Sequence, residues 1–316
     1  MKSDIVIVDD RVLHLGLAKG QLAQNVFLVG DPARALRVAE YFDDVHHDVR
    51  NREYVTLTGS WRGMPVSVIG TGIGVDNIEI ALVEAYTVHA FDFDTRLRVS
   101  HEEPLRFVRI GTSGGTDEAI EPGTLAISTH GLGLDNGGMF YDHPAADEVV
   151  SQIEDKALRV LDDAIPDDAR FKGKIIPYVS KASPVVVEAL VEQARQSSFN
   201  YVTGITASTP GFYGASSRFV DGLANTVASI KTDLATMRVD GLSVVNMEME
   251  SSLLFHVAAH LGCQVGTICP IISKPLSSAD IFDYKPSVDN AIRVALAAMY
   301  QLHGGDPQLP ATGRIS

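Results

Sequence analysis

The segment Arg109-Ile110-Gly111-Thr112-Ser113-Gly114-Gly115 is the most informative part of this 316-residue chain for its fold. It closes an apolar run, Phe107-Val108, that is typical of a buried strand. Bare backbone N–H groups and two hydroxyl groups follow the strand, at the end where open α/β sheets hold their ligands. Arg109 adds a planar, permanently charged donor. The segment therefore predicts a strand with a site for a small anion, most simply phosphate, at its carboxyl end.

Two alternatives exist for this segment taken alone. Residues 111–115 also match G-x-S-x-G, the nucleophile elbow of α/β-hydrolases, which requires a helix directly after the serine. Residues 116–123 are instead typical of a turn, and residues 124–129 of another strand, so the pattern does not favour a hydrolase. The second alternative is a glycine-rich turn that binds nothing.

A second candidate anion site precedes the first. An apolar strand pattern at 25–29 runs into Gly30-Asp31-Pro32-Ala33-Arg34, where Asp31 and Pro32 suit the N-cap and first turn of a helix. The N-terminus of a helix binds anions, and an arginine in its first turn is unfavourable unless an anion is present. Arg52 opens the next strand in a comparable way. Taken singly, Arg34 and Arg52 are also compatible with solvated surface residues.

Residues 244–252 form a third feature, an apolar run that ends in two acids before a helix. Glu250 lies near the N-terminus of that helix, where a carboxylate is stabilised and stays ionised. It is a strong acceptor for a vicinal diol such as that of ribose, and Met249 offers a soft apolar face to a sugar ring. The alternative is an ordinary acid at the start of a helix.

The chain resembles the uridine phosphorylases of the nucleoside phosphorylase superfamily in eight segments that occur in the family's order. They are HLGL 14–17, VGDPAR 29–34, NREY 51–54, TGIG 71–74, VRIGTSGG 108–115, EPGT 121–124, TASTPGFYG 206–214 and NMEMES 246–251. The resemblance implies a single domain over 1–316, folded as a three-layer α-β-α sandwich around a mixed, mostly parallel sheet. It also implies a pentosyltransferase that cleaves a nucleoside with phosphate to give free base and ribose 1-phosphate.

The resemblance also implies a role for each matching residue. The expected phosphate ligands are Gly30, Arg34, Arg52, Arg109 and Thr112. The expected ribose ligands are Thr112, Met249, Glu250 and, from a neighbouring subunit, His14. The expected base contacts are Phe212, Ser216, Arg218 and Lys274, and the expected catalytic groups are Arg109, Glu250, Arg218 and Lys274. Some bacterial members hold a monovalent cation, K⁺, between subunits at positions that match Glu53, Ile73 and Asn77. No other cofactor is implied, since phosphate is a substrate.

The departures from the family pattern fall on the base pocket. Ser216 stands where the family has a glutamine, and Lys274 where it has an arginine; a purine-specific member would carry an aspartate at the latter position. Two cations, Arg218 and Lys274, suit the carbonyl oxygens of a departing uracil. We therefore expect a pyrimidine preference with looser selectivity than usual. A phosphorylase of purine or modified nucleosides, a hydrolytic nucleosidase and a non-catalytic nucleoside-binding protein stay open as alternatives.

Composition agrees with a soluble enzyme. The chain is 45% hydrophobic and 21% charged, and its net charge of −14 argues against a nucleic-acid partner. No apolar run approaches the length of a membrane span, and no charged-then-apolar leader is visible. The two cysteines, Cys263 and Cys269, do not form a C-x-x-C pair, and we expect reduced thiols in a cytoplasmic protein. By resemblance we expect a homo-oligomer with a dimer as its unit, assembled into a hexamer.

The hydrophobic pattern alternates between strands and helices, as in a sheet covered by helices on both faces. Strands are predicted at 26–30, 53–58, 65–70, 106–111, 124–129, 174–180, 201–207 and 265–272. Helices are predicted at 32–42, 76–90, 146–163, 184–197, 250–262 and 287–302. Two further segments look longer than in the family, 91–104 and 227–243. The glycines at 70–74 lack Rossmann spacing, and the pair His256 and His260 lacks the glutamate of a zinc helix.

Overall fold

A computed structural model describes residues 2–99, 103–275, 283–307 and 309–311. Its strands are β1 Ile7–Val8, β2 Arg11–Val12, β3 Asn25–Val29, β4 Asp44–Asn51, β5 Tyr54–Trp61, β6 Met64–Gly70, β7 Arg106–Ile110, β8 Gly114–Gly115, β9 Leu125–Gly133, β10 Tyr178–Lys181, β11 Tyr201–Ser208, β12 Val244–Glu248 and β13 Gln264–Pro270. Its α-helices are α1 Pro32–Ala39, α2 Val75–Ala90, α3 Glu148–Asp163, α4 Pro184–Gln196, α5 Ile230–Ala235, α6 Ser251–Leu261 and α7 Lys285–Leu302.

The central sheet is mixed, with the strand order β4-β5-β6-β3-β7-β13-β9-β11-β12-β8 and with β10 paired to β9. Parallel pairing joins β6, β3, β7 and β13 in one block and β9, β11 and β12 in another. The antiparallel pair β13–β9 connects the two blocks. The predicted α/β fold with a mixed sheet is thus confirmed, with antiparallel pairs at both edges of the sheet and at the junction of the two blocks.

Helices cover both faces of this sheet and bury two large apolar cores. One core combines side chains of α1, α4 and α7 with the sheet, and the other combines those of α2 and α6. A smaller core holds α3 and α5 against β11 and β12. Helix α1 begins as predicted, because Asp31 accepts a hydrogen bond from Ala33 N at 2.9 Å and Pro32 occupies the first turn. None of the helices in the described ranges is long and apolar enough to cross a membrane.

The differences from the predicted elements have local causes. Strand β4 was not predicted, because its sequence DVHHDVRN is largely polar and its side chains are mostly exposed at the sheet edge. The strand predicted at 174–180 is shorter and later, Tyr178–Lys181. Helix α5 also went unpredicted: it has six residues, too few to show a helical period.

Candidate active site

A cavity of about 620 Å³ opens where the carboxyl ends of β3, β7, β11 and β12 meet. β3 and β7 belong to one parallel block, and β11 and β12 belong to the other, which runs in the opposite direction. The ends of the two blocks come together because β8, directly after β7, pairs with β12. The cavity is lined by ten of the predicted site residues, namely Gly30, Arg34, Ile73, Arg109, Thr112, Phe212, Ser216, Arg218, Met249 and Glu250. The segments predicted for phosphate, ribose and base therefore share one cavity.

Arg109 is the buried cation at the floor of this cavity. Its guanidinium lies 3.0 Å from Glu248 Oε2 and also donates to Glu250 Oε2. Burial lowers the pKa of Arg109, but Glu250 and Glu248 outweigh that effect and hold the pKa above its ordinary value. Gly111 leaves room for the guanidinium group of Arg109, since a Cβ at position 111 would lie 2.0 Å from Arg109 Nη1. The glycine that sequence analysis placed in the anion turn is thus required by the arginine itself.

Arg34 supplies a second cation beside Arg109. Its Nη1 donates to Ile110 O at 3.2 Å, and within the described ranges it forms no ion pair with a carboxylate. Burial lowers the pKa of Arg34, and the charge of Arg109 lowers it further. Ser113 adds a buried hydroxyl that lacks a hydrogen-bond partner among the described residues. Cationic and hydroxyl donors that face one cavity without matching acceptors are suited to a small anion.

Glu250 pairs with Arg109, lines the same cavity as Arg34 and is 3% exposed. Its second oxygen accepts a hydrogen bond from Gly74 N at 2.8 Å. Burial raises the pKa of Glu250; Arg109 lowers it, and Glu248 raises it again. A buried carboxylate on the cavity wall can accept hydrogen bonds from a diol once the ligand displaces part of its contact with Arg109.

Glu248 is a site residue to which sequence analysis assigned no role. It accepts hydrogen bonds from Ser208 Oγ at 2.5 Å and Ser251 N at 3.0 Å, in addition to pairing with Arg109. It therefore orients Arg109 and connects the ends of β11 and β12 to the start of α6. Its signal in the sequence was the first acid of the pair in NMEME, two residues before Glu250.

Residues 212–218 supply the part of the cavity wall that was predicted to contact the base. The ring of Phe212 is 50% exposed, and the guanidinium carbon of Arg218 lies 3.7 Å from its centroid. Arg218 Nη1 also donates to Phe212 O at 2.5 Å. Ser216 is 6% exposed, and its hydroxyl lies 3.4 Å from that of Thr209. This end combines an aromatic face with a cation and small hydroxyls, which suits a flat, polar ring.

Comparison with known proteins places this architecture in a family. The model of the phosphorylase superfamily matches residues 25–299. The chain belongs to the phosphorylase superfamily. The uridine phosphorylase of Haemophilus influenzae is 30% identical over 83% of this chain and 85% of its own length, and that of Thermococcus kodakarensis is 28% identical over 84% and 78%. The crystal structure of a Trypanosoma brucei nucleoside phosphorylase with uridine phosphorylase activity has a TM-score of 0.82 at 27% identity, covering 94% of this chain and 100% of its own. The predicted resemblance to uridine phosphorylases is confirmed.

Lys274 is predicted to contact the base in this phosphorylase. It does not line the cavity; its ammonium group pairs with Glu121 Oε1 at 2.9 Å and donates to Glu118 O at 3.2 Å. The hydrogen bond to Glu121 raises the pKa of Lys274. The two preceding residues, Ile272 and Ser273, line the cavity instead. Lys274 thus lies outside the described cavity lining, held by an acidic side chain of the 116–123 turn, and its contact with the base stays a prediction.

Arg52 and His14 also lie outside the cavity lining. Arg52 is exposed in the turn between β4 and β5, with a backbone φ of 53°. Its neighbour Asn51 donates to Leu13 O at 2.9 Å and His14 O at 2.8 Å, so the Arg52 turn and the His14 loop form one surface. Within one chain, the expected three-arginine cradle is therefore a cradle of two, Arg34 and Arg109.

The three residues predicted for a monovalent cation lie on separate segments of the chain. Ile73 lines the cavity entrance and is 70% exposed, while Glu53 is exposed on the β4–β5 turn. Asn77, on α2, has its side-chain oxygen 3.4 Å from the hydroxyl of Tyr54. In the described part of the chain no three His, Cys, Asp or Glu side chains are arranged to hold a metal ion. A K⁺ site at these positions stays a prediction.

Proposed function

We propose that this protein catalyses the reversible phosphorolysis of a pyrimidine nucleoside, with uridine as the type substrate. The observation that carries the proposal is the convergence of Arg34, Arg109 and Glu250 on one cavity. A buried guanidinium group, that of Arg109, and a half-buried one, that of Arg34, can bind phosphate, and the adjacent carboxylate can accept the 2′- and 3′-hydroxyl groups of ribose. Relatives named as uridine phosphorylases over most of their length support the same reaction.

The geometry suits attack by phosphate at the anomeric carbon. Arg34 and Arg109 hold the phosphate, and Glu250 holds the sugar above it, which makes the two reactants effectively one molecule. A phosphate oxygen forms a bond to C1′ while the C1′–N bond breaks and its electron pair leaves with the base. The negative charge of phosphate stabilises the oxocarbenium-like ring in between. No covalent intermediate on the protein is required.

We further propose that the active site is completed by a second copy of the chain. Arg52 and His14 share a surface outside their own cavity lining, and His14 is held by Glu84, whose Oε1 lies 2.7 Å from Nδ1. A two-fold dimer can place this surface over the partner's cavity, where Arg52 meets phosphate and His14 meets the ribose 5′-hydroxyl. The same interface would bring Glu53 near Ile73 and Asn77 for a K⁺ ion. Hexamer assembly from such dimers and a cytoplasmic role in nucleoside salvage complete the proposal.

Mixing two inactive variants tests the shared site. Arg34→Ala and Arg52→Ala should each lower kcat/KM on the order of 100-fold, because each removes one charged phosphate donor. Refolding an equal mixture should restore about a quarter of wild-type activity, since half of the dimers are hybrids with one intact site. Steady-state phosphorolysis of uridine is the measurement.

The matching control mixes Arg34→Ala with Arg109→Lys. Each of these two variants has its substitution in the cavity of the chain that carries it. If the sites are shared as proposed, this mixture should recover no activity. Arg52 is intact in both variants, and each cavity of a hybrid dimer keeps its own substitution. An absence of recovery in the first mixture, at protein concentrations where light scattering shows dimers, would contradict the shared site.

A substrate panel tests the reaction itself. Uridine, thymidine and inosine are incubated with and without inorganic phosphate, and free base is quantified by chromatography. We expect release of base only with phosphate, and a higher kcat/KM for the pyrimidine nucleosides than for inosine. Release without phosphate would identify a hydrolytic nucleosidase, and binding without release a nucleoside-binding protein. A clear preference for inosine would overturn the pyrimidine assignment.

A further inference from the structure

Lys231 is a buried cation that sequence analysis did not single out. It belongs to α5, in the middle of the 227–243 segment that looks longer than in the family. On this short helix, Ile230 and Leu234 are buried in the apolar core shared with α3. Lys231 is the next residue around the helix; it is 6% exposed and lines the cavity. The extra segment thus brings a lysine to the site.

Hydrogen bonds hold Lys231 in place relative to the base end of the cavity. The hydroxyl of Ser217 accepts from Ile230 N at 2.8 Å and donates to Val227 O at 3.3 Å. Asn225 Nδ2 donates to Arg218 O at 3.2 Å. These contacts connect the start of α5 to the turn that carries Ser216 and Arg218. Lys231 and Arg218 therefore face the same part of the cavity as fixed neighbours.

Among the residues that the structure describes, no carboxylate compensates the charges at this end. Within the ranges that the structure describes, Lys231 forms no hydrogen bond or ion pair, and Arg218 pairs with no carboxylate. Burial lowers the pKa of Lys231 to about 8, and the nearby charge of Arg218 contributes to the shift. A buried ammonium group without a partner is unfavourable, so this pair of cations favours a ligand with electron-rich oxygens. Arg109, by contrast, already forms ion pairs with two carboxylates, those of Glu248 and Glu250.

We propose that Lys231, rather than Lys274, is the cation that contacts a carbonyl oxygen of the pyrimidine base. The inference rests on the proposed phosphorolysis and names the group that favours a base with carbonyl oxygens. As the C1′–N bond breaks, its electron pair moves into the base and onto that oxygen, where the ammonium group stabilises the charge. The departing base then takes up a proton from water.

Lys231→Met tests this role with little change in shape. We expect kcat for uridine to fall on the order of 100-fold, because one donor to the developing oxyanion is lost. Lys231→Arg should recover much of the loss, since it restores a charged donor. The control is Lys156→Met, which changes an exposed lysine on α3 and should leave kcat and KM unaltered. With 5-fluorouridine, whose base is a better leaving group, the loss in Lys231→Met should be smaller.

The pH dependence separates this role from a structural one. The protonated form of Lys231 is the active one, so wild-type kcat/KM should fall as pH rises through about 8. In Lys231→Arg that fall should move to higher pH. Stability should show the opposite trend: the folded-state pKa is below that of the unfolded chain, so stability rises between about pH 8 and 10.5. In Lys231→Met this rise should be absent.

Binding of free uracil in the presence of phosphate, measured by calorimetry, gives a readout that does not depend on turnover. Lys231→Met should weaken it at least 10-fold. Wild-type kinetics and uracil affinity in Lys231→Met, or a comparable loss in Lys274→Met alone, would overturn the assignment. A wild-type protein that binds uracil through Lys231 yet releases no base from any nucleoside would refute the phosphorolysis while supporting this contact.

Discussion

Replacing Arg109 with methionine should abolish phosphorolysis and destabilise the fold. The variant loses a phosphate donor at the cavity floor, and it leaves Glu248 and Glu250 as buried carboxylates without their shared cation. Removal of one partner from a buried ion pair costs about 3–5 kcal/mol of unfolding free energy. We expect kcat/KM to fall 10⁴-fold or more, because the variant loses about two charge-assisted contacts to phosphate. Denaturant unfolding and steady-state kinetics measure the two effects.

Two further variants separate stability from catalysis. Adding Glu248→Gln and Glu250→Gln to Arg109→Met should recover part of the stability, because no buried carboxylate then lacks a cation, yet activity should stay lost. Arg106→Met changes another arginine of β7 that pairs with Glu103 at 2.7 Å and does not line the cavity. It should keep near-wild-type kcat. Substantial turnover in Arg109→Met would show that this arginine does not hold the phosphate.

Changing Glu250 should mainly affect recognition of the ribose hydroxyl groups. Glu250→Ala removes the acceptor for both ribose hydroxyls, and we expect kcat/KM for uridine to fall on the order of 1000-fold, since a hydrogen bond to a charged group contributes about 1.5–3 kcal/mol. Glu250→Gln keeps one carbonyl oxygen and should lose about 100-fold by the same argument. The penalty should shrink with 2′-deoxyuridine, because one of the two hydroxyls is missing.

Glu154→Gln is the matched control for this experiment. Glu154, on α3, accepts a hydrogen bond from Val179 N at 2.8 Å and lies outside the cavity lining. Its replacement should leave the ratio of uridine to 2′-deoxyuridine kcat/KM unchanged. If Glu250→Ala lowered activity equally for both sugars, Glu250 would act by positioning Arg109 and not by contact with the diol.

The sequence predicted the residues at the strand ends well. Gly30, Arg34, Arg109, Thr112 and Glu250 all reach the cavity, since each directly ends or follows a strand or begins a helix. The positions of such residues depend on local hydrophobic patterns. Strand ends converge within each parallel block, and the pairing of β8 with β12 brings the ends of the two blocks together. The local sequence was therefore sufficient to predict most of the residues that line the proposed phosphate and ribose parts of the cavity.

The base end depended on contacts between distant segments. Lys274 follows β13 as expected, but Glu121, more than 150 residues earlier, holds its side chain at the surface. Lys231 occupies a six-residue helix whose pattern is too short to predict, and it reaches the cavity because burial of Ile230 and Leu234 in the core fixes the orientation of that helix. Neither outcome is encoded in the few residues around each lysine.

By itself, the sequence determined the α/β class, the family and the strand-end residues that line the cavity, because these follow from hydrophobic period, turn chemistry and motif order. Only the tertiary structure decided which cations share the cavity. It paired Arg109 with Glu248 and Glu250, moved Lys274 to the surface, introduced Lys231 and placed Arg52 outside its own site. Side-chain direction at these positions is set by ion pairs and packing between segments far apart in the chain, and those energies have no local signature.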